Sequence, residues 1–214
     1  MTTVNKDPYV YIEDNVFNDE FCKHVIDKFE NDARQQWGVT GAGENFSIKK
    51  SKDLRITDLP DWQQEDKIIH ETVQYGLIQY GKHINLNIGS DLIVRTTHLP
   101  KLMNPISNIH GTQCTDSGYQ IQKTLPGDGY IWHDDFQVNG ASGIRQLTFI
   151  FYLNDVDEGW TQFYHGDQVE PKTGRLLMFP STWTYLHQGY PPKQNKYIVT
   201  GWIFESIERV LQGQ

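Results

Sequence analysis

Residues 145–154 carry bulky side chains on both faces of what reads as a β-strand: Thr148, Ile150 and Tyr152 alternate with Leu147, Phe149, Phe151 and Leu153. Successive side chains of a strand point to opposite faces, so this strand has large surface to cover on both sides, the pattern of a strand held between layers. No other segment constrains the fold as strongly. One face has to line the interior of a rolled sheet, and the other has to be roofed by helices. Two upstream segments can form the roof. Asn18 can cap a helix from about 19 to 30 with Phe21, Val25, Ile26 and Phe29 on one apolar stripe. A second helix, from about 62 to 80, shows Ile68, Ile69, Val73, Leu77 and Ile78. Tyr9, Val10, Tyr11 and Ile12, preceded by Pro8, read as an edge strand extending the sheet.

With 214 residues the chain has room for one domain with a sizeable core. No internal repeat, linker or low-complexity tract divides it, and residues 84–115 carry no readable chemistry. No run approaches the roughly 18 apolar residues of a membrane span, and residues 1–7 lack the charged and apolar regions of a signal peptide. The expectation is a cytoplasmic protein with no membrane partner. Cys22 and Cys114 are too few for a disulfide framework and read as small buried thiols. A net charge of −8 disfavours nucleic acid, whose broad binding needs clustered Lys and Arg to displace counterions. One small basic cluster exists, Lys49, Lys50, Lys52 and Arg55, after a glycine-containing stretch. It reads either as a mobile, solvated loop or as a lid near the mouth of a barrel.

Chemistry concentrates beyond residue 130. His133 and Asp135 are two apart, so in a strand both reach the same side while Asp134 points away. The segment from Tyr130 to Phe136 is aromatic and β-branched and follows the turn Pro126, Gly127, Asp128, Gly129. A lone His-x-Asp says little. His187, far downstream at the end of a second strand-like stretch, supplies a third donor, and two imidazoles with one carboxylate on one face of Fe(II) leave open positions for oxygen activation. Nine residues on, Lys196 begins a strand that places Lys196, Ile198, Thr200 and Trp202 on one face. A lysine in an apolar strand is costly to bury unpaired, so it either snorkels to solvent or meets an anion. Tyr152 needs an interior partner as well, either backbone or the carboxylate held by Lys196. His165 rivals His187 as the third donor, but no lysine follows it at the spacing seen after His187. His24 and His70 fall in the helices, and His83, His98 and His110 in loops.

Taken together, these segments resemble the Fe(II)- and 2-oxoglutarate-dependent oxygenases, within them the prolyl 4-hydroxylase-like group. The resemblance runs over residues 119–205. It includes His133-x-Asp135, the R-x-x-T-x-x-x-Y-L-N pattern from Arg145 to Asn154, the stretch from Glu158 to Phe163, the run from Pro171 to Pro180, then His187, Lys196, Thr200 and Trp202. It implies a double-stranded β-helix, a jelly-roll or cupin-like barrel, packed on N-terminal helices, within a single domain of residues 1–214. Residues 1–118 would form the supporting strand and helices. By resemblance, His133, Asp135 and His187 bind Fe(II), Lys196 pairs with the distal carboxylate of 2-oxoglutarate, and Tyr152 and Thr200 add hydrogen bonds to it. Dioxygen is the other cosubstrate, with ascorbate as a supporting reductant. The implied reaction is hydroxylation of a peptidyl proline with release of succinate and CO2; a free amino acid or small molecule is the alternative substrate, and a noncatalytic metal- or carboxylate-binding barrel the alternative class. Trp132, Trp160 and Trp183 either line a peptide groove or fill the core. Glu158 and Trp160 stand where the family usually has glycine and a small or acidic residue, and Thr124 or Leu125 stands near a position where many members place a tyrosine.

Overall fold

The computed structural model describes residues 7–41, 43–88, 114–139 and 143–205. In chain order the elements are β1 (Tyr11–Glu13), α1 (Asp19–Glu30), β2 (Gln36–Trp37), β3 (Lys52–Arg55), a 3-10 turn at Pro60–Trp62, and α2 (Gln63–Ile88). Then come β4 (Cys114–Asp116), β5 (Gln120–Thr124), β6 (Tyr130–His133), β7 (Val138–Asn139) and β8 (Gly143–Tyr152). The chain continues through β9 (Thr161–Phe163), β10 (Gln168–Val169), β11 (Arg175–Pro180), β12 (His187–Gly189) and β13 (Lys196–Glu205).

The strands form two antiparallel sheets. The larger has the order β1-β11-β8-β13-β5-β3-β2, with β4 beside β13 and β7 beside β8; the smaller runs β10-β9-β12-β6. The two long strands, β8 and β13, lie side by side, with Thr200 opposite Ile150 and Trp202 opposite Thr148. This pairing decides where the core sits, because each strand sends alternate residues to opposite sides. Leu147, Phe149, Phe151 and Leu153 join Val199 and Ile203 in a buried cluster with Val25 and Phe29 of α1 and Ile69, Val73 and Leu77 of α2. The other faces, Ile150, Tyr152 and Ile198, pack with Phe163 and Val169 of the smaller sheet. Phe149 and Phe151 are fully buried, and each contributes about 1.5–3 kcal/mol over an exposed position.

Helix α1 starts where the cap predicts: Asn18 accepts a hydrogen bond on its side chain from the Phe21 N–H at 2.8 Å, and Asn31 ends it. Of its expected stripe Val25 and Phe29 are fully buried, with Phe21 and Ile26 packed at the edge. Helix α2 is longer than its pattern suggested. It begins after the 3-10 turn that Pro60 opens and runs on to Ile88, carrying Tyr80 and Ile84 into the core. Ile78 is 39% exposed, because it lies about 100° round the helix from Leu77, off the stripe that Ile69, Val73, Leu77 and Ile84 share. His83 lies in this helix, not in a loop, with its ring 5.2 Å from that of Tyr11. His98 and His110 lie outside the described residues, as does most of the unreadable stretch 84–115. Gly76 lets α2 approach β11, since a Cβ there would come within 2.7 Å of the Leu176 Cδ2.

Strand β1 is the edge strand, pairing with β11 at Tyr11–Met178 and Ile12–Leu177. It begins two residues later than expected, because the Asp7 carboxylate accepts the Tyr9 N–H and keeps Pro8 and Tyr9 in a turn. Cys22 is a buried free thiol, and burial pushes its pKa up to about 11. Among the described residues no helix is long and apolar enough to cross a membrane.

Candidate active site

The smaller sheet brings the two histidines together. His133 ends β6 and His187 begins β12, and the strands pair so that the two residues stand directly opposite, with ring centroids 4.2 Å apart. Asp135 differs from the expectation in one respect. Strand β6 stops at His133, and Asp135 reaches the same place from the irregular segment beyond it. Its carboxylate oxygens lie 3.9 Å from His133 Nε2 and 3.6 Å from His187 Nε2, and one donor atom from each of the three residues falls within 4.8 Å of the others.

Both imidazoles are turned the same way by the backbone. His133 Nδ1 is 2.7 Å from the Ile131 carbonyl and His187 Nδ1 is 3.0 Å from the Tyr185 carbonyl. Since a carbonyl only accepts, each Nδ1 carries the proton and each Nε2 lone pair faces the third residue. Tyr130 fixes one ring further, stacked on His133 with centroids 3.5 Å apart and planes 12° from parallel. Burial, reinforced by the neighbouring His187, pushes the His133 pKa down to about 4, so the ring is a neutral donor at neutral pH. Burial opposes ionisation of Asp135, but His187, His133 and the Thr148 hydroxyl outweigh it and hold the carboxyl below its ordinary value.

The Asp135 carboxylate has its own support. Thr148 Oγ1 donates to Asp135 Oδ2 at 2.7 Å and lies 2.9 Å from Ser181 Oγ, and Thr148 and Ser181 are both buried. Trp202 also stabilises the charge, although its buried N–H meets no acceptor in hydrogen-bonding geometry. With Oδ2 engaged, Oδ1 is left to a metal. Two Nε2 atoms and one carboxylate oxygen fit a first-row divalent ion with open coordination positions.

The three residues line a cavity of about 560 Å³ between the sheets. Lys196, Ile198, Thr200 and Trp202 of β13 and Thr148 and Ile150 of β8 all line it, as the alternation requires. Lys196 is 5% exposed and so does not snorkel. Its ammonium donates to the Gly159 carbonyl at 2.8 Å, and burial lowers its pKa from 10.5 to about 8. A buried cation with one neutral acceptor can hold a carboxylate. Glu158 and Gly159 bend the chain toward it at φ of 63° and 70°. That left-handed geometry accounts for the glycine expected at 158. Thr200 donates to the Phe149 carbonyl at 2.9 Å.

Tyr152 is placed differently from its expected role. It is fully buried with its hydroxyl 2.6 Å from Thr161 Oγ1, and Thr161, not Tyr152, lines the cavity. Burial pushes the Tyr152 pKa well above the usual phenol range. His165 is not part of the triad; its Nε2 lies 3.4 Å from Asp167 and 3.8 Å from Asp7. Thr124 lines the cavity at the place where a tyrosine was expected. None of the three tryptophans singled out does so: Trp183 is 70% exposed, Trp132 is exposed against Tyr164, and Trp160 packs on Tyr190.

The basic cluster is not a free patch, although the loop before it is largely exposed. Lys50 pairs with Asp128, Lys52 lies over the Trp37 ring and Arg55 pairs with Asp58. The loop is tied to the barrel through the Lys50 N–H on the Gly129 carbonyl and the Ile131 N–H on the Ile48 carbonyl. Val39, Thr40, Gly41, Lys49 and Ser51 line the cavity, so the loop stands at the barrel mouth. Residue patterns missed Lys49, Arg145, Ser181 and Thr161 as site residues. Of these, Arg145 and Thr161 stand in recognised motifs, but the motifs give neither a role in the site.

Comparison with known proteins agrees with this geometry. Residues 119–204 match the family described as the 2OG-Fe(II) oxygenase superfamily. Over those residues the barrel is similar to that superfamily. Across 96 residues the chain is 36% identical to Egl nine homolog 1 of Rattus norvegicus, a match covering 39% of this chain and 27% of that protein. It thus spans about a quarter of that curated relative. The oxygenase fold extends further than the sequence match. A prolyl hydroxylase from Trichoplax adhaerens, solved with a hypoxia inducible factor peptide fragment, superposes with a TM-score of 0.69 at 19% identity, covering 97% of this chain and 88% of that one. A Pseudomonas putida prolyl-4-hydroxylase gives 0.60 at 15% identity, covering 92% of both chains. A viral collagen prolyl hydroxylase from Paramecium Bursaria Chlorella virus-1, in its 2OG complex, gives 0.57 at 17%, covering 91% of this chain and 95% of that one. The two antiparallel sheets are accordingly those of a double-stranded β-helix.

Proposed function

We propose that this protein is an Fe(II)- and 2-oxoglutarate-dependent dioxygenase that hydroxylates a peptidyl proline. The observation that carries the reading is the placing of His133, Asp135 and His187, with both Nε2 atoms turned inward, in one cavity with the buried Lys196. His133, Asp135 and His187 would hold the iron. Lys196 would pair with the distal carboxylate of 2-oxoglutarate, with Thr200 and the Tyr152–Thr161 hydroxyl pair beside it. Once bound, iron and 2-oxoglutarate supply the oxidising chemistry, with succinate and CO2 as coproducts and ascorbate as a supporting reductant. The chain's own part is positional. The two backbone carbonyls fix the imidazole tautomers, Thr148 orients the carboxylate, and the walls between the sheets exclude water.

A peptide substrate is supported by the named relatives, each a prolyl hydroxylase or an Egl nine homolog, one of them solved with a peptide fragment. The net charge of −8 fits a peptide better than a nucleic acid, and residues 1–214 are read as one catalytic domain acting in the cytoplasm. The test is an anaerobic titration with Fe(II) and 2-oxoglutarate, following the visible charge-transfer band of the chelate, then a turnover screen of proline peptides against free proline. The band should form in the wild type and vanish in His187→Ala. No band in the wild type would leave only a noncatalytic barrel, and turnover of free proline alone would replace the peptide with an amino acid.

A further inference from the structure

Two further cations line the cavity, and the scheme above uses neither. Lys49 is 6% exposed, and its Nζ donates to Asp53 Oδ2 at 2.6 Å; among the described residues no other acceptor meets it. Both Asp53 oxygens are engaged by other donors as well, since Ser51 Oγ donates to Oδ1 and Gln120 Nε2 to Oδ2. An ammonium has three protons to give, so Lys49 keeps donors to spare beside the cavity, while Asp53 is shared with Ser51 and Gln120. Arg145 has a similar surplus. Its guanidinium stacks 3.8 Å above Trp202, its Nη1 reaches only the Asp135 carbonyl at 3.4 Å, and its Nε is buried with no partner. Buried donors of this kind are costly unless an occupant satisfies them. Both cations act on one side chain, Tyr130: Lys49 Nζ is 5.7 Å from its ring centroid and the Arg145 charge acts on its phenol.

The charges inside the cavity favour an anion. Iron with Asp135 and a 2-oxoglutarate dianion carries one net negative charge, which Lys196 offsets, and Lys49 is offset by Asp53. Arg145 is left over. Asp134, the other carboxylate on the wall, is exposed and caps the Phe136 N–H.

We infer that Lys49 and Arg145 determine specificity by binding a carboxylate of the substrate beside the reacting carbon. The carboxylate has two sources, an acidic side chain next to the target residue within a peptide, or the α-carboxylate of a C-terminal or free amino acid. The inference rests on the dioxygenase reading and names the substrate class of that site.

The test is calorimetric binding to the protein loaded with Mn(II) and 2-oxoglutarate, using two matched pairs of proline ligands. Acetyl-Gly-Pro-Asp-Gly-amide is set against its Asn counterpart, and acetyl-Gly-Pro acid against its amide. At least one acid should bind tenfold or more tightly than its neutral partner, and the pair showing the gap identifies the source. In Arg145→Gln, and in the charge-neutral double variant Lys49→Gln/Asp53→Asn, which strands no buried carboxylate, the gap should shrink below threefold. Equal binding within both pairs, or a gap that survives both variants, would overturn the inference. So would a double variant that loses 2-oxoglutarate affinity while keeping the carboxylate preference, which would assign Lys49 to the cosubstrate. An absent chelate band removes the dioxygenase reading and this inference together, whereas an intact band without acid preference removes this one alone.

Discussion

Lys196 is the residue whose charge state the site must control. Burial lowers its pKa from 10.5 to about 8, so the folded protein releases this proton more readily than the unfolded chain does. Below about pH 8 the ammonium is charged in both states and its burial costs stability; that cost is relieved as pH rises from about 8 to about 10.5. Cosubstrate binding has the opposite slope. Pairing needs the charged form, so 2-oxoglutarate affinity should be level below about pH 8 and fall roughly tenfold per unit above it. Titrations of the chelate band from pH 6.5 to 9.5 measure this, and a flat profile would remove Lys196 from the cosubstrate site. Thr148 controls geometry where Lys196 controls charge. Its hydroxyl holds Asp135 Oδ2 and is backed by Ser181, so Thr148→Val should weaken metal affinity by about 10–100-fold, the usual range for a group that orients a ligand. Thr148→Ser keeps the donor and should lose far less, as read by Mn(II) binding in the absence of cosubstrate.

At the level of elements, what the sequence revealed depended on whether a segment's position follows from its own pattern. Helix α1 was legible to the residue, because Asn18 and the spacing of Val25 and Phe29 are local signals. Asn18→Ala should therefore lower the unfolding free energy by about 1 kcal/mol, seen as a lower urea midpoint with an unchanged slope. Strands β8 and β13 were equally legible, since alternation sorts Phe149 from Ile150 and Ile198 from Val199 wherever the strand ends up. Tyr152 shows the limit of that reasoning. Alternation gave its face correctly, but not that Thr161 from another strand would stand between it and the cavity. The far end of α2 was missed because Ile84 is buried in the core shared with the sheet, burial that the pattern up to residue 80 does not encode. The loop before β3 was illegible for the same reason. Lys49 looks like any surface lysine until Asp53, Ser51 and Tyr130 surround it, and a cluster of like charges gives no sign that each will find a separate partner.

Across the whole molecule, the candidate site joins side chains carried by different sheets. His133 and His187 belong to the smaller sheet, Lys196 and the Thr148 that steadies Asp135 to the larger one, and Asp135 follows the end of β6. A metal and a dicarboxylate bound together would therefore link both sheets, and a ligand that binds only the folded state raises stability by mass action. At 100 times the dissociation constant the gain is about 2.7 kcal/mol. For a chain of this size each kcal/mol moves the melting temperature by about 2–4 °C, so saturating Mn(II) with 2-oxoglutarate should raise it by about 5–10 °C, and a chelator should reverse the shift. Differential scanning fluorimetry separates the contributions. His187→Ala should lose the metal-dependent rise altogether. Lys196→Ala should keep the rise from metal alone and lose the increment from 2-oxoglutarate, because only the link to the larger sheet is cut. An equal increment in Lys196→Ala would mean that the dicarboxylate bridges the sheets through another cation, and Arg145 and Lys49 are the two that line the same cavity.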